Sequence, residues 1–125
     1  MNIIGIGTEI VECLRIGRLI EEHGEMFLHR AYTDREIRFC QARLRSTEHF
    51  AAVWAAKEAV RKAFNLSGRD LEWTDLEIRQ EVGQRPEVYL GGAIGDVVQR
   101  LRITQVLLSL SHCRAYATAN AIALG

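Results

Sequence analysis

Hydrophobic and polar positions follow two different periods along the 125 residues of the chain. After a short β-branched opening, the first half repeats apolar side chains at the spacing of amphipathic helices. The second half mostly alternates at every second residue, which is typical of strands with one buried face. The pattern predicts strands at 2–10, 73–81, 87–90, 105–113 and 115–124, and helices at 9–24, about 34–44, 46 to about 65–68, and 91–102.

Polar residues mark where three of these helices are expected to begin. Thr8 is predicted to cap the first helix, and Ser46 the long third one. Thr33 and Glu36 have the spacing of a capping box, so they predict the start of the second helix. The order of strand, helices and further strands predicts one small α+β domain over residues 1–125, with a mostly antiparallel sheet packed against the long helix.

The charge balance excludes a global electrostatic attraction to nucleic acid or to a membrane. Sixteen basic and 16 acidic residues give a formal net charge of zero, and the two signs are mixed along the chain. Three cysteines at 13, 40 and 113 form no CxxC pair, which is typical of reduced thiols. With no signal-peptide pattern and no apolar run of about 18 residues, a cytoplasmic protein is expected.

The segment VWAAKEAVRKAF, residues 53–64, contains the only two lysines of the chain, Lys57 and Lys62, on either side of Glu58. Glu58 and Lys62 are four residues apart on a predicted helix, so they share a face and are predicted to pair. The simpler interpretation is an ordinary surface ion pair, worth about 0.3–0.5 kcal/mol.

A second acid favours a functional interpretation. Glu9 follows the glycine-rich GIGT at the end of the first predicted strand. If the long helix packs across the sheet, Glu9 and Glu58 converge. Two carboxylates with phosphate oxygens and water form a typical Mg²⁺ site, and Lys62 would add a compact positive charge for phosphate.

Other catalytic patterns are missing from the sequence. His112 lies on a predicted strand and points away from the face of Ser109 and Ser111, and a single strand histidine is more often structural than catalytic. The sequence has no Ser-His-Asp spacing, no GxSxG elbow, no P-loop and no dinucleotide fingerprint.

Four segments together resemble one family. IIGIGTEIVECLRI, FAAVWAAKEAVRKAF, GQRPEVYL and LLSLSHCRAYATANAIA occur in this order and span nearly the whole chain. They are similar to the successive signatures of the short bacterial holo-acyl-carrier-protein synthases, which are phosphopantetheinyl transferases. The resemblance implies the transferase fold as a homotrimer with active sites between subunits.

The implied reaction moves 4′-phosphopantetheine from coenzyme A to a serine of an apo-acyl-carrier protein and releases 3′,5′-ADP. It depends on Mg²⁺, or on Mn²⁺, and serves fatty acid or related lipid biosynthesis in the cytoplasm. The attacking hydroxyl belongs to the partner protein, so the enzyme needs no nucleophile of its own. Positioning and charge neutralisation at the pyrophosphate are its main tasks.

The resemblance also implies roles for the acids and lysines of the two best-matched signatures. Glu58 corresponds to a glutamate that binds the metal and positions or deprotonates the attacking serine. Glu9 corresponds to a metal-binding aspartate. Lys62 corresponds to a catalytic lysine that faces the pyrophosphate, and Lys57 is expected with it at the coenzyme A site.

Five further positions receive binding roles in the same way. Arg15 corresponds to an arginine that meets the acidic carrier protein, and Arg18 follows it one turn later on the same helix. Arg85 and Pro86 lie in the segment expected near the nucleotide. His112 corresponds to a histidine near the coenzyme A phosphates.

The sequence departs from the family pattern at three places. Glu9 replaces the aspartate, Val53 replaces an arginine for which Arg61 is a candidate substitute, and NLSG replaces a GTG loop. Three interpretations follow: an enzyme with small adjustments, an enzyme serving a specialised carrier protein, or a catalytically impaired member that binds only the carrier protein or coenzyme A.

Overall fold

The computed structural model describes residues 1–125, except for the side chain of Asp70. A three-stranded antiparallel sheet of order β1-β5-β4 and a two-stranded antiparallel sheet β2-β3 surround one long helix, which confirms the predicted α+β class. The elements are β1 (Ile3–Glu12), α1 (Cys13–His23), α2 (Glu25–Ala31), α3 (Asp34–Gln41), α4 (Ser46–Ala63), β2 (Leu76–Arg79), β3 (Glu87–Leu90), α5 (Gly92–Leu101), β4 (Gln105–His112) and β5 (Tyr116–Leu124), with short 3₁₀ turns at Gly68–Asp70 and Trp73–Asp75.

The first strand is longer than the sequence predicted. Strand β1 pairs with β5 through Glu12, opposite Tyr116, and Thr8 lies in the middle of it, opposite Asn120. The prediction that Thr8 caps the first helix is therefore wrong, and α1 begins only at Cys13, without a side-chain cap. Pairing along the whole of β5 outweighs the helical spacing of the apolar residues in this segment.

The helical region also differs in detail from the prediction. Gly24 adopts a positive φ of 53°, ends α1, and turns the chain into α2, which the sequence analysis did not predict. The capping box is confirmed, because Thr33 Oγ1 accepts from the backbone N–H of Glu36 and Glu36 Oε1 accepts from that of Thr33. The prediction that Ser46 caps the long helix is wrong: Ser46 is the first residue of α4, Arg45 is its N-cap, and no side chain caps the helix.

Small residues let α4 lie very close to the large sheet. A Cβ added to Gly5 or Gly7 would collide with the carbonyl oxygen of Ala63 or Ala59, respectively. The facing surfaces of α4 and β5 are lined by fully buried alanines: Ala51, Ala55, Ala56 and Ala59 on the helix, and Ala117, Ala119, Ala121 and Ala123 on the strand. This close packing fixes β1 against α4.

We expect Gly7→Ala to lower the free energy of unfolding by about 2–3 kcal/mol, because the new methyl group can be accommodated only if α4 and β1 separate. Gly95→Ala is the matched control, since an added Cβ there meets no atom within 4 Å on helix α5. The control should be neutral or stabilised by up to about 1 kcal/mol. Urea unfolding measures both variants, and equal midpoints would contradict the close packing.

No helix in the described part of the chain combines the length and the apolar character that a membrane span requires.

Candidate active site

Lys62 and Glu9 meet where β1 crosses α4. Alternation along the strand puts Glu9 on the same face as Gly7, which packs against α4. Lys62 Nζ donates a hydrogen bond to the carbonyl oxygen of Thr8 at 3.0 Å and lies 3.4 Å from Glu9 Oε1. Both side chains remain partly exposed, so a ligand can reach them.

Glu58 lies one helical turn before Lys62 but pairs with Arg61. The Arg61 guanidinium donates to Glu58 Oε2 through Nη2 at 2.8 Å and Nε at 3.1 Å. It also donates through Nη1 to the carbonyl oxygen of Leu66 at 2.9 Å. The predicted Glu58–Lys62 pair is therefore wrong. Lys62 contacts β1 instead, and two N–H groups of Arg61 donate hydrogen bonds to the Glu58 carboxylate.

The carboxylates of Glu9 and Glu58 suit Mg²⁺, although they do not form a closed metal site by themselves. Among the described residues, no three His, Cys, Asp or Glu side chains lie close enough to hold a metal ion by themselves. Glu9 and Glu58 provide hard carboxylate oxygens on the two elements next to Lys62. Mg²⁺ commonly takes one or two carboxylates and completes its octahedron with phosphate oxygens and water, so these residues fit that ion.

Lys57 is buried, in contrast to Lys62. It is 1% exposed, and its Nζ contacts Glu36 Oε1 at 2.6 Å and the carbonyl oxygens of Ala31 and Trp73, each at 2.9 Å. Every donor of the ammonium group is thereby satisfied within the protein. The predicted place of Lys57 at the coenzyme A site is corrected accordingly: this side chain joins α4 to the end of α2, to α3 and to the Trp73 turn.

The acid of this buried pair is equally well satisfied. Glu36 also accepts the backbone N–H groups of Thr33 and Ile78, each at 2.8 Å. Burial raises the pKa of Glu36 and lowers the pKa of Lys57, while the charge of each partner acts in the opposite direction. The capping-box glutamate thus has a second role that its sequence motif does not reveal.

His112 lies near the other end of α4. Its Nδ1 is 3.0 Å from Glu48 Oε1, and its ring packs edge-on against His49, with 4.8 Å between the ring centroids. Glu48 and Lys62 are 14 positions apart on one straight helix, a separation of roughly 20 Å. One copy of the chain therefore does not bring His112 together with Glu9, Glu58 and Lys62.

Arg18 lines a groove at the same end of α4 as His112. The groove has a volume of 630 Å³ and lies between α1 and the first turn of α4. Arg45 and Arg114 also line it, together with the exposed side chains of Leu14 and Leu44. Arg15 is exposed on α1 but does not line the groove.

Arg85 and Pro86 lie beside strand β4. Both line a cleft of 670 Å³ between β3, β4 and the end of α5. Arg85 also lines a smaller cleft with Ser109 and Asn120, on the face of the large sheet that points away from α4. No hydrogen bond or ion pair among the described residues connects this segment to Glu9, Glu58 or Lys62.

Sequence reasoning missed Glu48, and it named Arg61 only as a substitute for the family arginine, not as the partner of Glu58. Glu48 contacts His112, and Arg61 contacts Glu58. Arg61 follows Glu58 by three positions, which is a helical contact distance and a usable signal. Glu48 and His112 are 64 positions apart, so no local pattern connects them. Val53 is fully buried in α4 and takes no part in any of these clusters.

Comparisons with known proteins agree with this geometry. A family model described as the 4′-phosphopantetheinyl transferase superfamily matches residues 5–120. The holo-[acyl-carrier-protein] synthase of Rhodopirellula baltica is 42% identical over 122 residues, 98% of each chain. That of Chlamydia pneumoniae is 42% identical over 125 residues, 99% of each chain.

Solved structures show the same fold. The holo-[acyl-carrier-protein] synthase from Neisseria meningitidis superposes with a TM-score of 0.89 and 30% identity, covering 99% of this chain and 100% of that one. The Helicobacter pylori synthase, solved in complex with coenzyme A, superposes with a TM-score of 0.82 and 26% identity. That match covers 95% of this chain and 99% of the Helicobacter pylori chain. The chain is thus a transferase of the 4′-phosphopantetheinyl transferase superfamily. Within that superfamily it belongs to the holo-acyl-carrier-protein synthase family, as its four signatures predicted.

Proposed function

We propose that this protein transfers 4′-phosphopantetheine from coenzyme A to a serine of an apo-acyl-carrier protein and releases 3′,5′-ADP. One observation carries the proposal: the partly exposed Lys62 amine lies 3.4 Å from Glu9 where β1 crosses α4, and Glu58 lies one helical turn before Lys62. That arrangement neutralises and orients phosphate. The coenzyme A complex of the Helicobacter pylori relative supports the choice of donor.

The chemistry uses a nucleophile from the partner protein. The serine oxygen of the carrier attacks the phosphorus next to the pantetheine, and the bond from that phosphorus to the leaving 3′,5′-ADP breaks. Lys62 faces the pyrophosphate and offsets its negative charge. Glu58 orients the hydroxyl and accepts its proton directly or through a water molecule.

Glu9 and Glu58 would hold Mg²⁺ beside the pyrophosphate, and the ion supplies charge that neutralises the phosphate oxygens. Glu9 is one methylene longer than the aspartate of the family pattern, yet its carboxylate already reaches Lys62 across the crossing. We therefore propose an active enzyme rather than an impaired binding module. Assays with Mn²⁺ beside Mg²⁺ test the metal preference that the longer side chain sets.

We extend the proposal to a homotrimer with active sites between subunits. Two groups of predicted site residues lie at opposite ends of α4, so a second copy is needed to unite them. The face of the large sheet away from α4 has an exposed apolar patch: Ile6 and Ile10 are 64% and 62% exposed, and Ile6 lies opposite Ile122, which lies opposite Leu107. Further copies of the chain covering this face would place His112 of one subunit near Lys62 of the next.

We expect Ile6→Asp to convert the assembly to monomers, because a charge would be buried in the interface. Light scattering should then give about 14 kDa instead of three times 14.2 kDa, and transfer should fall at least about tenfold. Val82→Asp is the matched control, since Val82 is 92% exposed on a loop outside the sheet. A monomeric wild-type protein with full activity would contradict the intersubunit site.

We propose that the acidic carrier protein binds at Arg15 and Arg18. These arginines lie on the exposed side of α1 beside the groove that Arg45 and Arg114 line. We expect Arg15→Ala and Arg18→Ala each to raise the KM for the carrier about fivefold, the size of one exposed ion pair, and to leave the KM for coenzyme A unchanged.

Arg100→Ala on the exposed side of α5 is the control for the loss of one positive charge. Raising the salt concentration should weaken carrier binding by the wild type more than by either α1 variant. Each variant has already lost one of the positive charges that salt would screen. Equal increases in both KM values would contradict a carrier-specific role of α1.

The reaction itself is tested by chromatography of the nucleotide product. The protein is incubated with coenzyme A, Mg²⁺ and an apo-acyl-carrier protein, and each component is omitted in turn. The proposal expects 3′,5′-ADP only in the complete mixture. Repeating the assay with several carrier proteins, from primary and specialised pathways, identifies which carrier this protein modifies in fatty acid or related biosynthesis in the cytoplasm. Nucleotide release without any carrier would contradict the transfer.

A further inference from the structure

We propose that Glu48 is a positioning residue that fixes the tautomer and the ring orientation of His112. This inference rests on the proposed function, in which His112 lies near the coenzyme A phosphates. Glu48 lies in the first turn of α4, is 8% exposed, and has its Oε1 3.0 Å from His112 Nδ1. Its second oxygen, Oε2, lies 3.8 Å from Arg45 Nη1.

The contact determines which ring nitrogen carries the proton. An ionised carboxylate only accepts hydrogen bonds, so His112 Nδ1 must be the donor to Glu48. A neutral ring then has its unprotonated nitrogen at Nε2, and a proton taken up there gives an imidazolium whose Nε2–H donates to a phosphate oxygen while Nδ1–H stays on Glu48. Nε2 is the atom left to meet a ligand, since the His112 side chain is 31% exposed. Without an acceptor at Nδ1, the proton of a neutral imidazole is free to occupy either nitrogen.

A second contact fixes the plane of the ring. His49 packs against His112 at an interplanar angle of 66°, and Phe39 packs in turn against His49. Burial lowers the pKa of His49, and the neighbouring His112 and Arg43 lower it further, which favours its neutral form. An uncharged neighbour holds the His112 ring without repelling it.

Glu48 and His112 both lie at the opposite end of α4 from Glu58 and Lys62. Glu48 touches neither predicted metal ligand, and its effect reaches a bound molecule only through His112. Removal of Glu48 should therefore act on coenzyme A binding more than on the chemical step. Carboxylate partners of metal-binding histidines give the scale of such an effect, typically about 10–100-fold in affinity or activity.

The test combines ¹⁵N spectroscopy of the His112 ring with steady-state kinetics. The spectra are recorded at a pH where the ring is neutral. The wild type should show the Nδ1–H tautomer, and Glu48→Ala should move His112 toward the Nε2–H form. The KM for coenzyme A should rise about tenfold in Glu48→Ala, with kcat changed less than about threefold. Glu48→Gln keeps the size of the side chain and an acceptor oxygen, so it should show a smaller change in both readouts.

The decisive comparison is the double variant. In a His112→Ala background, Glu48→Ala should cause no further rise in the KM for coenzyme A, because the residue acts through the ring. Glu72→Gln, an exposed acid, is the control for charge. An unchanged tautomer in Glu48→Ala would overturn the proposal, and so would an undiminished kinetic effect without His112. The ¹⁵N spectra report the His112 tautomer whether or not the protein transfers phosphopantetheine. A failure of the proposed function can therefore be distinguished from a failure of the role proposed for Glu48.

Discussion

Glu58→Ala is expected to reduce phosphopantetheine transfer by at least about a hundredfold while the protein stays folded. Glu58 is the proposed proton acceptor and one of two proposed metal ligands, and loss of one preorganised charge at a phosphoryl centre costs about 10²–10³ in rate. Among the described side chains its only hydrogen-bond partner is Arg61, which keeps its hydrogen bond to the carbonyl oxygen of Leu66. Loss of that one ion pair should cost less than about 1 kcal/mol of stability.

Single-turnover kinetics on apo-carrier protein measure the rate, and circular dichroism on heating measures the fold. Asp96→Ala is the matched control, because Asp96 is an exposed acid on helix α5 with no assigned role. Turnover of Glu58→Ala within about threefold of the wild type would contradict the proposed site. A variant that no longer folds would show instead that Glu58 is structural.

Lys57→Met is expected to lower the free energy of unfolding by about 3–5 kcal/mol, because it leaves the carboxylate of Glu36 buried without its counter-charge. The side chains of Lys57 and Glu36 are 1% and 0% exposed, so water cannot replace the lost ammonium group. Urea unfolding measures the effect. If Lys57 bound coenzyme A instead, the variant would keep its stability and lose affinity for the cofactor.

A double-mutant cycle with Glu36→Gln isolates the pair itself. The double variant should lose less stability than the sum of the two single variants, because removing one charge no longer strands the other. Additive losses would show that the two residues act separately. Arg61→Met provides a matched comparison on the same helix, since its ion pair with Glu58 is partly exposed and should cost far less.

The sequence predicted most of the fold because its strongest signals are local. The capping box of Thr33 and Glu36, the long alanine-rich helix and the alternating final strands all follow from spacing alone, and the structure confirms them. The predicted start of α1 was wrong because β1 pairs with β5, which is distant in sequence, and this pairing extends β1 to Glu12. Helix α2 was missed because a glycine with positive φ joins it directly to α1.

The candidate site shows the same division between local and distant information. Glu58 and Lys62 could be selected from one helix face, and Glu9 from its place after a glycine-rich strand. The actual partner of Lys62 is Glu9, and this contact depends on how close the glycines of β1 bring the strand to α4. The actual partner of Glu58 is Arg61, three positions along the same helix. The structural role of Lys57 depends on Glu36, 21 positions earlier, and only the packed core brings these two together.

The transfer is tested most directly by the intact mass of an apo-acyl-carrier protein after incubation with this protein, coenzyme A and Mg²⁺. We expect a gain of one phosphopantetheine, roughly 340 Da, located on a single serine of the carrier and absent with Glu58→Ala. No mass gain with several carrier proteins, and with Mn²⁺ as well as Mg²⁺, would contradict it. In that case Glu9→Asp would show whether the longer carboxylate alone prevents the transfer.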